Sequence, residues 1–580
     1  MSSRGFMRTG NSLTIPRPGT RTSVEVPPTG ATADVGVWCA ALALTVYLGL
    51  SGGGFDLEVR SEIGLVIWWA VLLGVLVGLL PRARLPRAGF IAAALLTAFL
   101  AWSWIGLTWS GSHELTLDTV CQLSTYLGTL LIGLCLLTPR SARALVGGLA
   151  CGITVVSAIA LLSKLAPSLF PANTARSFYA VARLSYPFDY ADGVGEFAAL
   201  GIPLLLYLAG SGRALATRAA AGAGLPVLLL CLAMTVSRGG ILAAAVGLVV
   251  FFALAPDRIP RFTTLAVAGG GIAVLMVALL HRPALRDQIA AAPVAQRHSM
   301  LVALAAVVVL SGLAHLGLAL IGRRIRRPGW TVVSLRAAGV IWLAILAAVC
   351  AVVVVGLAGG TASHLWAQFK QVNPSTHSNQ YFRLLSLAGS HRYQYWQVAL
   401  KAFDSSPLHG IGPGTYRFYW AAHQTIGEYV QNAHSLWFET LAEAGVIGLA
   451  LIAGFFIFVL GAGGSNALRT ADVSTRALLA AAVAGVAAFC GAASFDWIWQ
   501  IGIAPMVTLL LVAVAVGPTV GTQPAARWPQ PTSRWRRRWP HTGLRWVVRV
   551  PLAVGTLVAI ALIAIPLAST VAVRSSQTAA

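Results

Sequence analysis

A histidine and two glutamates stand where a polar segment runs into a long apolar stretch. His434 is followed by Glu439 and Glu443, and the apolar residues continue without a break from there. Imidazole is the side chain that most readily accepts or relays a proton near neutral pH. For the glutamates two interpretations stay open: a role in chemistry, or placement near a helix N-terminus, where the helix dipole favours acids. The pattern predicts a chemical role for His434 at a membrane boundary.

Two arginines are predicted to reach the same boundary from distant parts of the chain. Arg238, in TVSRGGIL, falls at the tip of a tight helical hairpin, and Arg392 precedes Trp396 in an aromatic segment. A charged side chain at membrane depth indicates function more often than structure. The guanidinium fork matches the oxygens of a phosphate group. These arginines therefore predict a site for a phosphate-bearing ligand.

The elements that must position these residues are membrane-spanning helices. The chain has 580 residues, of which 57% are hydrophobic and 10% charged, and its mean hydropathy is +0.77. Apolar runs of membrane-spanning length recur along it and predict about fifteen spans. We therefore expect an all-α polytopic membrane protein with about 12–15 transmembrane helices and a large extracytoplasmic loop of short helices.

Charge asymmetry predicts the orientation. Placing the N-terminus in the cytoplasm puts the whole net charge of +23 on the cytoplasmic side, as the positive-inside rule requires. This distribution accounts for the basic composition without a nucleic-acid partner. The Arg/Trp-rich stretch that ends at residue 549 is instead expected to bind anionic membrane lipids.

Four regions are predicted along the chain. Residues 1–34 are expected to form a disordered cytoplasmic tail, and residues 35–517 a transmembrane domain whose large outer loop covers 359–442. Residues 518–549 form the basic cytoplasmic loop. Residues 550–580 form an additional C-terminal transmembrane helix and a short tail.

The large loop is expected to fold rather than to stay flexible. Helical spacing places Tyr395, Val398, Ala399 and Ala402 on one face. The following PLHGIGPGTY holds three glycines and two prolines, which predicts a break that lets backbone segments approach closely.

Metal and cofactor motifs are not found in the sequence. It shows no nucleotide-binding glycine motif and no Cys/His zinc spacing, and its seven cysteines fall within the expected spans as core residues. Asp189 and Asp192, in YPFDYADG, are expected to serve turn chemistry rather than a metal site. No metal and no cofactor is therefore expected.

Several segments together resemble the O-antigen ligase family. His434-Ser435, nine further residues and Gly445-Val446-Ile447-Gly448 resemble the signature of that family. Other segments similar to it are Arg392 through the PLHGIGPG stretch, Ser237-Arg238-Gly239, Tyr186-Pro187-Phe188-Asp189-Tyr190-Ala191-Asp192 and Phe495-Asp496-Trp497. The resemblance covers roughly residues 175–515 and departs from the family in having Asp192 where Asn is usual.

The resemblance implies a multispanning, metal-independent glycosyltransferase of the plasma (inner) membrane. Such enzymes transfer a glycan from an undecaprenyl-pyrophosphate carrier to a hydroxyl of an acceptor glycan, lipid or protein, with inversion at the anomeric carbon. On this basis His434 is expected to orient or deprotonate the acceptor. Arg238 and Arg392 are expected to hold the diphosphate, with Arg383 or Arg183 assisting.

Three further residues are expected to bind substrate. They are Tyr186, Asp189 and Glu439.

The sequence is also compatible with alternative functions. A polysaccharide polymerase uses the same donor, and a protein O-oligosaccharyltransferase uses a Ser or Thr acceptor. A lipid-linked sugar transporter is less favoured, because such proteins place charged or broken helices near the bilayer midplane.

Overall fold

The computed structural model describes residues 29–80, 85–170, 183–212, 214–287, 292–324, 361–371, 381, 384, 386, 388–518 and 543–579. Within these ranges the regular structure is helical throughout. The helices are α1 Thr29–Leu50, α2 Leu57–Leu76, α3 Arg87–Ile105, α4 His113–Leu136, α5 Ser141–Leu165, α6 Ala191–Ser211, α7 Leu215–Thr235, α8 Arg238–Leu254, α9 Arg258–Leu280, α10 Pro283–Arg286, α11 Val294–Arg324, α12 Thr361–Phe369, α13 Arg392–Ser405, α14 Tyr416–His423, α15 Leu436–Arg469, α16 Val473–Ala493, α17 Ile503–Val516 and α18 Gly543–Ala579.

Twelve of the described helices are long and apolar enough to cross a membrane, and α8 and α17 are shorter apolar helices. The predicted all-α polytopic fold is thereby confirmed. A further span, expected near 334–358, lies outside the described residues, as do the first 28 residues and most of the basic stretch 518–549.

The bundle is built around α6 and α16. In these two helices 89% and 83% of the most apolar stretch is buried, against 17% in the C-terminal α18. Helix α18 lies against α2, and Arg574 near its end forms ion pairs of 3.3 Å with Asp56 and 2.6 Å with Glu58. The central helices are the ones that carry or adjoin the candidate site.

The large loop contains three short helices, α12, α13 and α14, which together form a small cap on the bundle. This confirms that the loop is folded. In α13 the residues Tyr395, Val398, Ala399 and Ala402 are all buried, as their spacing predicts. They pack with Trp420 of α14 into a hydrophobic core separate from that of the membrane bundle.

Helix α15 is broken at Gly445, which has a φ of 67°. Interrupting a membrane helix frees backbone groups that must find other partners. Three bonds with the loop 407–412 supply them: Ile411 N to Ala442 O at 3.0 Å, Gly412 N to Glu443 O at 2.9 Å and Val446 N to Pro407 O at 2.9 Å. A Cβ at position 445 would clash with the carbonyl of Leu408, so only glycine fits this close approach.

Candidate functional site

His434 occupies a turn immediately before α15. Its φ of 52° is left-handed, and its Nδ1 lies 3.0 Å from the carbonyl oxygen of Asn432. The imidazole ring lies 4.8 Å from the ring of Tyr395 and 6.5 Å from that of Trp497, measured between centroids. Since the backbone carbonyl accepts from Nδ1–H, the neutral ring has its lone pair on Nε2.

Glu439 holds this turn in place from the first part of α15. Its buried carboxylate accepts hydrogen bonds from the backbone N–H of Ala433 at 2.9 Å and from the side chains of Asn432 at 3.2 Å and Gln500 at 2.8 Å. The carboxylate thus fixes the residues on the N-terminal side of His434. This geometry makes Glu439 a positioning residue for the histidine.

Glu443 anchors the cap in the same way. Its two oxygens accept from the backbone N–H groups of Gly414 at 2.8 Å and Tyr416 at 2.9 Å. Both glutamates are therefore bound to backbone amides of the cap, an outcome that the sequence left undecided.

The surroundings of His434 favour its neutral form. Burial lowers the pKa of the imidazole, and the charge of Arg392 adds to this effect, while the carboxylate of Asp496 opposes it. A neutral imidazole at ordinary pH is the form that accepts a proton.

Arg392 and Asp496 form a buried ion pair beside the histidine. The Nη2 of Arg392 lies 2.9 Å from Oδ2 of Asp496, whose side chain is 0% exposed. The Nε of Arg392 donates to the carbonyl of Phe495. The hydroxyl of Tyr190 donates to Oδ1 of the same carboxylate at 2.5 Å, and the backbone N–H of Trp497 donates at 2.8 Å. One aspartate therefore joins the cap, the start of α6 and the segment between α16 and α17.

Arg183 forms a second pair with Asp192, in the first turn of α6. The two guanidinium–carboxylate contacts are 2.7 and 3.2 Å, and the Nε of Arg183 donates to the carbonyl of Thr235 at 2.7 Å. This arginine ties the segment before α6 to the end of α7.

Arg238 contacts the segment that leads into α13. Its Nη1 lies 2.5 Å from the carbonyl of Ser386, and its Nη2 lies 2.9 Å from the hydroxyl of Ser390, two residues before Arg392. The structure therefore brings the neighbourhoods of Arg238 and Arg392 together, although Arg238 and Ser390 are 152 positions apart in the sequence.

The remaining predicted residues lie elsewhere. Arg383 falls outside the described residues. Tyr186 is half-buried, with its ring 5.3 Å from that of Phe170. Asp189 is exposed with a φ of 54°, as expected for a turn. No contact of Tyr186 or Asp189 with His434 or the site arginines is found in the described part of the chain.

Several residues that adjoin the site have no role predicted from the sequence. Asp496 and Trp497 were noted only as part of a motif, and Tyr190 only within its segment. Glu196 of α6 is 1% exposed, and its carboxylate packs against Gly239 and lies close to the carboxyl group of Asp496. For Asp496 the sequence does offer a signal of function, because an acidic residue stands between two apolar spans. For Glu196 the sequence offers no signal beyond a charged residue near the end of a span.

Among the described residues, no group of three or more His, Cys, Asp or Glu side chains is arranged to hold a metal ion.

The residues that carry His434 also match a known family. Residues 289–453 match the family model described as O-antigen ligase. Over these 165 of the 580 residues the chain is similar to the O-antigen ligase family. The match includes Arg392, His434 and the break at Gly445, so it confirms the resemblance drawn from the sequence, while Arg183, Arg238 and Asp496 lie beyond it. A comparison with curated proteins gives no match.

Proposed function

We propose that this chain is a membrane glycosyltransferase that transfers a glycan from undecaprenyl pyrophosphate to an acceptor hydroxyl at the outer face of the plasma membrane. The O-antigen ligase match supports a glycosyltransferase of this general kind. The observation that carries the proposal is the setting of His434, a neutral imidazole with one nitrogen fixed by Asn432, close to the Arg392–Asp496 pair.

The proposed reaction is a single displacement. The acceptor oxygen attacks the anomeric carbon as its proton passes to Nε2 of His434. The bond from that carbon to the phosphate oxygen breaks, and its electron pair leaves with undecaprenyl pyrophosphate. Attack and departure on opposite faces invert the anomeric configuration.

Arginine provides the charge that stabilises the leaving group. Arg238 and Arg392 are held near each other by the 386–392 segment, and fixed cations lower the cost of charge developing on a diphosphate. The Asp496 carboxylate holds the Arg392 fork in one orientation, so little reorganisation is needed as the bond breaks. Arg183 stabilises the adjoining α6–α7 corner through Asp192.

The test is transfer by the purified full-length protein from a synthetic lipid-pyrophosphate oligosaccharide, in the presence of EDTA, with both products identified by mass spectrometry. We expect His434→Ala to reduce transfer by roughly 100-fold or more, the usual contribution of a general base, and Arg238→Ala to reduce it as well. His423→Ala is the matched control, because His423 is exposed at the end of α14. Full activity of His434→Ala would refute the assignment, and lipid-linked sugar crossing proteoliposomes without bond formation would favour transport.

A further inference from the structure

Glu196 is a buried acid that the proposed reaction does not use. It lies in the second turn of α6, inside the bundle. In the described part of the chain no N–H or O–H group donates a hydrogen bond to either oxygen of its carboxyl group. Buried polar groups that lack such a donor are rare in folded proteins, so this side chain calls for a physical explanation.

Two other elements meet the carboxyl group of Glu196. On one side the carboxyl packs against Gly239, the residue after Arg238 at the start of α8. On the other side it lies within hydrogen-bonding reach of the carboxyl group of Asp496, the counter-ion of Arg392. Glu196 therefore stands between the helix that begins at Arg238 and the ion pair of Arg392.

The contact between Glu196 and Asp496 requires a proton. Ionised carboxylates only accept hydrogen bonds, so two of them cannot bond to each other, and they repel strongly where water is excluded. Two carboxyl groups that share a site are held together by one proton. Asp496 already accepts from Tyr190, from Arg392 and from a backbone N–H group. Since a buried charge without a donor is costly, the proton belongs to Glu196.

The proton on Glu196 sets the net charge around the site arginines. Three guanidinium groups and three carboxyl groups of the described residues meet here: Arg183, Arg238 and Arg392, which form the arginine cluster, and Asp192, Glu196 and Asp496. If all three acids were ionised, the charges would cancel, and a diphosphate would meet no net attraction. With Glu196 protonated, one positive charge is in excess, in surroundings where charges interact more strongly than in water.

The helices packed against α6 bring no further acid to Glu196. They are α5, α7, α8, α9 and α16, and their sequences contain no Asp or Glu. Arg218 and Arg261 bind carbonyl oxygens of Ala209 and Leu206, towards the opposite end of α6. The remaining titratable groups at the Glu196 end carry no negative charge at ordinary pH; they are Tyr190, Lys164, Cys231, Cys490 and His434.

We propose that Glu196 is a positioning residue that carries a proton and donates it in a hydrogen bond to Asp496, so that the arginine cluster keeps the excess positive charge that binds the donor diphosphate. This inference rests on the proposed transferase function and adds the group that sets the charge of its donor site. When the diphosphate draws Arg392 away from Asp496, the proton of Glu196 still offsets the negative charge of that aspartate.

Infrared spectroscopy of the full-length protein in lipid nanodiscs detects this proton without any substrate. A protonated carboxyl group has a carbonyl stretch that shifts in heavy water, whereas an ionised one has carboxylate stretches. We expect the carbonyl band in the wild type at neutral pH and its loss in Glu196→Gln. Asp404→Asn is the matched control, because Asp404 is exposed at the end of α13, and this variant should lose carboxylate bands only. Loss of carboxylate bands in Glu196→Gln would overturn the inference.

Titration with farnesyl diphosphate in the same nanodiscs tests the role of the charge. Glu196→Gln is uncharged and keeps a hydrogen-bond donor, so we expect it to bind this probe with about the wild-type affinity. Glu196→Ala has no donor for Asp496, and its affinity should fall by roughly tenfold or more, as for other hydrogen bonds to charged groups. An ionised Glu196 would give the opposite pattern, because its replacement by Gln would add a positive charge and tighten binding.

Three outcomes of the titration would overturn the inference. They are tighter binding by Glu196→Gln, wild-type affinity in Glu196→Ala, and no binding of the diphosphate by the wild type. Neither the spectra nor the titration needs turnover. A failure of the transferase assignment is therefore seen in the transfer assay, and a failure of this inference in the infrared bands and the affinities.

Discussion

Replacing Gly445 by alanine tests how the break in α15 supports the site. The residue has a φ of 67° and a ψ of −168°, a region that only glycine occupies readily, and the added Cβ would meet the carbonyl of Leu408. Backbone strain of this kind costs about 1–3 kcal/mol. Relief of the clash would also break the three hydrogen bonds between the break and the loop 407–412, at about 0.5–1.5 kcal/mol each. The expected total is about 2.5–7.5 kcal/mol, lost locally where the cap meets the membrane bundle.

Hydrogen exchange of single amides measures this loss directly. The N–H groups of Ile411 and Gly412 donate to the freed carbonyls, so their exchange should accelerate by more than roughly 60-fold in Gly445→Ala, since 1.4 kcal/mol corresponds to a factor of ten. Gly454→Ala is the matched control: it lies in the same helix, and a Cβ there meets nothing within 4 Å. That variant should be neutral or more stable by about 1 kcal/mol. Wild-type exchange at Ile411 and Gly412 in Gly445→Ala would refute this account of the break.

Two further predictions concern the charges at the site. Burial lowers the pKa of His434, so its imidazole stays neutral to a lower pH than a free imidazole does. The acidic limb of the pH profile of kcat/KM for transfer should therefore lie below about pH 6.5. An acidic limb above that value would contradict the role of His434 as the base. Asp496→Asn should lower the free energy of unfolding by about 3–5 kcal/mol, because it leaves Arg392 buried without its counter-charge. The partly exposed pair Arg286–Asp287 provides the control, since Asp287→Asn should cost at most about 1 kcal/mol, and equal melting temperatures for the two variants would refute the difference.

The sequence predicted the elements of the fold well, because hydropathy and helical periodicity are local properties. The all-α bundle follows from the apolar runs, and the buried face of α13 follows from the spacing of Tyr395, Val398 and Ala402. The glycines of PLHGIGPGTY likewise predicted close backbone approach, which Gly410 and Gly412 make against Glu443 and Ser110.

Partner choice could not be predicted, because it depends on contacts between distant segments. Hydropathy predicts that the span begins near Glu443, yet α15 starts at Leu436. The helix can begin earlier because backbone amides of the cap donate hydrogen bonds to Glu439 and Glu443, which offsets the free-energy cost of burying their carboxyl groups. For the same reason Asp496 gave no sign that it would bind Arg392 and Tyr190.

The Arg392–Asp496 pair also has a consequence for biogenesis. The two residues are separated by 104 positions, so at ribosomal rates of roughly 5–20 residues per second Asp496 is synthesised about 5–20 s after Arg392. During that interval the nascent cap holds a guanidinium whose counter-ion has not yet been translated. Insertion of α16 and α17 into the bilayer then delivers the aspartate, so the ion pair forms only when most of the chain has been synthesised.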